Sequence, residues 1–193
     1  MVDLGTPYDR RSAVAWSRAV MDTAETVFLD TETTGLGTSA EIVDIAVISV
    51  SGEVLVDALV RPDRRIPSEA TRIHGIRNQD VALAPSWEEV FPLVSAALID
   101  RLVVVYNAGF DRTMVRQCCD RTGANFPRAT WHCAMKAYAA FRQEPSRGRS
   151  AYRWHSLPDA AAAFGLPPGG HRALADADVC RRIVAAMAAT GWV

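Results

Sequence analysis

Three apolar, β-branched runs follow one another early in the chain: TVFLDTET (26–33), EIVDIAVISV (41–50) and EVLVDALVRP (53–62). A Gly-containing turn separates the first two, and Ser51-Gly52 joins the last two closely enough to make them a hairpin. The rhythm then changes. LVVVYN (102–107) reads as a fourth, buried strand, FDRTMVRQCCDRTG (110–123) as a helix closed by Gly123, and 129–133 as a short fifth strand. Further helices are predicted at 9–22, after Pro67, from Ser86 with a bend at Pro92, up to about Phe141, from Ser156 and from about Arg172. Strands first, then strands alternating with helices, predict an α/β domain with a mixed five-stranded sheet flanked by helices. Residues 1–23 are expected to be an N-terminal helical extension and 24–193 the main domain. The apolar positions of the extension either cap that domain or serve a dimer contact.

The 193 residues, 49% of them hydrophobic, suffice for one sizeable core and exclude a disordered or fibrous chain. With 22% charged residues and no apolar run approaching the roughly 20 residues of a membrane span, no membrane association is expected. The N-terminus carries Asp3, Asp9, Arg10 and Arg11 before any apolar stretch, unlike a secretory signal, so the expected location is the cytoplasm. Cys118, Cys119, Cys133 and Cys180 show no zinc-type spacing and read as buried free thiols. The net charge of −1 offers no global basic field, yet ten basic residues against three acidic ones between Arg101 and Arg153 leave a local balance of +7.

Several carboxylates fit structural roles poorly. Asp30 and Glu32 are two apart in a strand, which places both on one face with Phe28. Two such charges about 4 Å apart repel by roughly 4 kcal/mol at an effective dielectric near 20, so the pair needs a cation or shifted pKa values. In the last helix the apolar stripe is Ala173, Ala177, Cys180, Val184 and Met187. Asp176 falls beside that stripe, whereas Asp178 lies about 200° round from Asp176, with Arg182 at i+4 as its expected surface partner. Asp111 opens the helix after LVVVYN, which suits either a helix-start acid or a ligand site at the ends of neighbouring strands. His171 follows Gly169-Gly170 in a turn five residues before Asp176. Four carboxylates suit Mg²⁺ or Mn²⁺, and a histidine suits a general base near neutral pH.

These elements, in this order, resemble the DnaQ-like 3′–5′ exonucleases of the DEDDh type. The matching stretches are FLDTETTGL (28–36), RIHGI (72–76), VVYNAGFD (104–111) and HRALADA (171–177), so the resemblance runs over about 26–187. It implies a three-layer RNase H-like fold and a 3′–5′ exonuclease that releases nucleoside 5′-monophosphates. It also implies that Asp30, Glu32, Asp111 and Asp176 hold two Mg²⁺ or Mn²⁺ ions, with Asp30 bridging them, and that His171 deprotonates the attacking water. Thr33 would meet the 3′-hydroxyl through its backbone and Leu36 would wedge against the last base. His74, Asn107 and Phe110 are further candidates for the substrate pocket, with core packing as the alternative for His74 and Phe110.

Tyr106 departs from the family pattern, standing where many relatives carry histidine. The chain ends at Val193 without the tail by which the epsilon proofreading subunit grips its polymerase, so a free-standing repair or trimming enzyme is expected ahead of a replicative proofreader. The segment FRQEPSRGRSAYRWH (141–155) interleaves arginines with Tyr152 and Trp154, a mixture that holds phosphates and stacks bases, or is a solvated loop with its aromatics tucked inward. The expected substrate is the 3′ end of DNA, single-stranded. The alternatives are an exoribonuclease of the same fold, comparable to RNase T or oligoribonuclease, and, behind it, a non-catalytic nucleic-acid-binding adaptor. Neither a homodimer contact nor a polymerase or repair partner is legible in the sequence.

Overall fold

β1 (Thr26–Thr33) is the central strand, and everything else is arranged around it. β2 (Ile42–Ser49) pairs antiparallel with β1, and β3 (Val54–Leu59) antiparallel with β2. On the other side, β4 (Leu102–Val105) and β5 (Thr130–Cys133) continue the sheet in parallel, giving the order β3-β2-β1-β4-β5. The mixed five-stranded sheet is the one expected. The computed structural model describes residues 4–148 and 150–191; Arg149 and the residues at either end, including Asp3, lie outside them.

Seven helices occur among the described residues: α1 (Arg10–Asp22), α2 (Ser68–His74), α3 (Trp87–Leu98), α4 (Ala108–Thr122), α5 (Ala134–Arg142), α6 (Leu157–Ala163) and α7 (Ala173–Ala188). Strand alternation sorts them into two layers. Phe28, Ile48 and Val104 face a core shared by α1, α5, α6 and α7. Val27, Leu29, Val47, Val103 and Val105 face α3 and α4. α2 and the loop after it close a smaller cluster around Val43, Ile66 and Ile76. Both faces of β1 and β2 are therefore covered, and both strands read as nearly continuous apolar runs.

Four expectations shift in detail. β3 ends at Leu59, and Val60 adds one more sheet-like bond to Val43 O at 2.9 Å before Arg61 N–H turns away to Pro85 O. β4 ends at Val105 and α4 begins at Ala108, so Asn107 rather than Asp111 stands at the helix start. Asp178 pairs with Arg181, not Arg182, because the i+3 guanidinium reaches it at 2.7 Å. Cys118, Cys119 and Cys180 are buried free thiols, while Cys133 at the end of β5 is only half-buried. As for α1, its buried Ala13, Val14, Trp16 and Val20 pack into the α5–α7 core, so these positions cap the domain. No described helix is long and apolar enough to cross a membrane.

Candidate active site

Asp30 and Glu32 share the face of β1 that Phe28 places against the α7 layer. Asp44 lies directly across from Glu32 in the antiparallel register of β2 and so points the same way. α7 crosses this face with the predicted apolar stripe buried, and its first turn supplies Asp176, also buried. His171 precedes the helix on a loop, with left-handed backbone at Gly170 (φ 81°) and His171 (φ 57°). One ligand atom each from Glu32, His171 and Asp176 lies within 4.8 Å of the others.

Asp111 arrives from the opposite layer, buried in the first turn of α4. Thr31 points toward that layer, since it alternates with Asp30 and Glu32, and its hydroxyl donates to Asp111 Oδ1 over 2.8 Å. The central strand therefore presents two acids from one face and steadies a third from the other.

Protons are held tightly in this cluster. Burial, then the charges of Asp111, Asp176, Glu32 and Asp44, push the Asp30 carboxyl well above the usual range. Burial and the neighbouring carboxylates raise Glu32 to about 8, against a small opposing pull from Arg172. Burial raises Asp111 to about 7 despite the hydrogen bond from Thr31. Asp176 is raised by burial while His171 pulls it down through its charge and its backbone N–H. Clustered carboxylates that cannot all ionise alone, beside one imidazole, form the hard oxygen-rich donor set that Mg²⁺ or Mn²⁺ takes.

Two features of the site were not foreseen. Asp44, buried inside the run EIVDIAVISV, accepts from Arg172 Nε at 2.9 Å and from the Ala173 N–H at 3.3 Å, tying β2 to the start of α7. Gly169 packs directly on Asp176: a Cβ there would collide with Asp176 Oδ1 and come within 2.8 Å of its Cγ and backbone N. A buried acid opposite another acid was the only sequence signal for the first, and it depends on knowing the strand register.

The other predicted residues separate into two groups. Thr33 is buried beyond an irregularity in the β1–β2 register, with its hydroxyl donating to Gly35 O at 2.7 Å. Leu36, in the loop that follows, is 84% exposed. His74 is buried at the end of α2, where its Nδ1 accepts from Ile76 N–H at 3.1 Å. Burial lowers its pKa, against the Thr33 backbone and Asp44, which favour the cation. Asn107 is exposed at the N-terminus of α4 on the β5 side, and Phe110 is half-buried against the α3–α4 core. The buried Tyr106 reaches the carbonyls of His155 and Ser156 at 3.2 and 3.3 Å, so it anchors the chain entering α6.

The arginine-rich segment also divides. Arg142 and Arg153 both pair with Glu144, at 2.6 and 3.9 Å, and Tyr152 packs on the core. Trp154 is 53% exposed.

The RNase_T family model, described as an exonuclease family, matches residues 27–184. An uncharacterized exonuclease, CP81, of Escherichia phage 186 is 40% identical over 173 residues, covering 86% of this chain and 89% of the relative. A DNA polymerase III subunit epsilon-like protein of Rhodobacter capsulatus is 31% identical over 192 residues, but the chain spans only 26% of its length. Among solved structures, exonuclease X in complex with 5′ overhanging duplex DNA superposes with a TM-score of 0.60 at 30% identity, covering 87% of this chain and 94% of that one. The chain belongs to the exonuclease family, as a 3′–5′ exonuclease of the DEDDh type with the RNase H-like fold.

Proposed function

We propose that the protein hydrolyses single-stranded DNA from its 3′ end, releasing nucleoside 5′-monophosphates with the help of two Mg²⁺ or Mn²⁺ ions. The observation that carries this reading is the approach of Glu32, His171 and Asp176 ligand atoms to within 4.8 Å of one another on the face of β1 that also bears Asp30. The DNA in the complex of exonuclease X, 30% identical to this chain, supports DNA as substrate. Asp30, Glu32, Asp111 and Asp176 are the residues assigned to the ions, with Asp30 central because the other three charges all oppose its ionisation. Bound there, a pair of divalent ions supplies water activation, orientation of the scissile phosphate and neutralisation of the leaving 3′-oxygen.

His171 takes the proton of the attacking water. It stands exposed on its loop beside Asp176, whose carboxyl it pulls down through its charge and its backbone N–H. Thr33 meets the terminal 3′-hydroxyl through its backbone. The exposed Leu36 side chain lies against the last base and separates it from any pairing partner. His74 backs this terminal pocket next to the Thr33 backbone, and Asn107 and Phe110 border the path of the chain on the α4 side.

The test is a time course on 5′-labelled DNA and RNA of one sequence, single-stranded and as blunt duplexes, with Mg²⁺, Mn²⁺ or EDTA. The expected result is a metal-dependent ladder shrinking from the 3′ end, fastest on single-stranded DNA, with mononucleotides as the product. Faster degradation of RNA moves the assignment to an exoribonuclease, and no degradation by folded protein moves it to a binding adaptor.

A further inference from the structure

A cavity of about 360 Å³ opens on the β5 side of the site, between the N-termini of α4 and α5. Asn107 and Gly109 line it and Asp111 is only two residues further on, so it lies within a helical turn of the carboxylate cluster. Its character is opposite to that of the cluster. Among the described residues Arg112 and Lys136 line it, both exposed and neither in an ion pair, and no carboxylate does. Neither α4 nor α5 is capped by a side chain of its N-cap residue, Asn107 or Cys133, so two positive helix ends meet here. Trp154, 53% exposed, forms one wall, and the segment around Thr6 forms another.

We propose that this cavity is a subsite for the upstream part of a single-stranded substrate, with Arg112 and Lys136 on backbone phosphates and the Trp154 indole stacked on a base. This rests on the exonuclease reading and deepens it. Leu36 sits in the loop joining β1 to β2, and His74 ends α2, which packs through Ala70 on the cluster of Val43 in β2, whereas the cavity is lined by the end of β5. A strand with its 3′ nucleotide against Leu36 therefore crosses the carboxylates at the scissile phosphate and continues into the basic, aromatic cavity. Stacking on an exposed indole suits single strands, because a base inside a duplex has both faces covered by its stacked neighbours.

The experiment compares a thymidine octanucleotide with a thymidine dinucleotide, using wild type, Lys136→Ala, Lys136→Arg and Trp154→Ala. Both side chains are exposed, and thermal melts verify that each variant folds. Lys136→Ala and Trp154→Ala are each expected to lower kcat/KM for the octamer about tenfold relative to the dinucleotide, with most of the effect in KM and with Lys136→Arg recovering most of it. Binding of fluorescein-labelled octamer in EDTA, read by anisotropy, should weaken by a similar factor. The Lys136→Ala salt dependence should flatten by about 0.7 in log–log slope.

Equal losses on octamer and dinucleotide, or no loss on either, overturn the subsite; the second result leaves the cavity to another occupant, such as an acidic peptide. If wild type cleaves neither substrate but binds the octamer, and the variants lose that binding, the exonuclease reading fails while the subsite stands. If wild type cleaves both and the variants match it, the subsite fails while the exonuclease stands.

Discussion

Arg172 Nε lies 2.9 Å from Asp44 Oδ2, joining a buried acid of β2 to the residue that stands between His171 and α7. The same carboxylate oxygen receives the Ala173 N–H, so Asp44 caps α7 from outside the helix and fixes its first turn, including Asp176, over Glu32. Arg172→Ala is expected to cost only about 1 kcal/mol of stability, since its side chain is 54% exposed and screened by solvent. Its effect on turnover should be larger, a fall in kcat of about 10–100-fold, because an outer contact that orients metal-site residues is lost. Thermal melts set beside steady-state kinetics check both parts; a large loss of stability with unchanged kcat in the folded fraction would contradict the positioning role.

Gly169 is confined by Asp176 rather than by its own backbone angles. Gly169→Ala must displace the Asp176 carboxyl or the loop carrying His171, since the added Cβ would meet Asp176 Oδ1. A shift of about 1 Å at a reacting group can cost about 100-fold in rate, so kcat should fall on that order. Mn²⁺ affinity should weaken in parallel. Kinetics with a Mn²⁺ titration check this, and wild-type values for both would contradict the packing argument.

Metal-free protein should lose stability as pH rises. In the folded state Glu32 titrates at about 8 and Asp111 at about 7, both above their ordinary values. Folded protein therefore holds protons that the unfolded chain has released. This contribution is full below about pH 4 and is lost progressively as pH climbs to about 8. Melting temperatures in EDTA should accordingly fall between pH 5 and pH 8 by a few degrees, less so in Glu32→Gln, and Mg²⁺ or Mn²⁺ should raise them most at the alkaline end. A rise of melting temperature with pH in EDTA would count against the cluster.

Thr31 opposes the upward shift of Asp111 through its hydroxyl, 2.8 Å from Oδ1. Thr31→Val keeps the shape and removes that bond. The acid limb of kcat/KM against pH should then move up by about one unit, the equivalent of a hydrogen bond to a charged group worth about 1.5 kcal/mol. An unmoved limb with lower activity throughout would show that Thr31 acts by packing alone.

The legible parts of the site were those encoded in local period. Asp30 and Glu32 share a face because strands alternate, and Asp176 stands out because it borders an apolar helical stripe; both patterns survive without knowledge of the fold. Asp44 does not stand out. Its role comes from facing Glu32 across a strand register and from a partner 128 residues away, neither of which has a sequence period. The same limit separates Tyr152 from Trp154: two residues apart in one Arg-rich segment, one packs on the core and the other faces solvent. The start of α4 lies earlier for a local reason, because β4 ends at Val105 and Asn107, two residues on, already stands at the N-cap of the helix.

The proposed mechanism requires the carboxylates to hold two divalent ions, so the most direct measurement is a calorimetric Mn²⁺ titration of metal-free wild type and Asp30→Asn, alongside the 5′-labelled DNA ladder. Two ions per chain with a 3′-to-5′ ladder in wild type, and at most one ion with no ladder in the variant, is the predicted result. Wild type that binds no Mn²⁺, or a variant that binds and degrades like wild type, would contradict it.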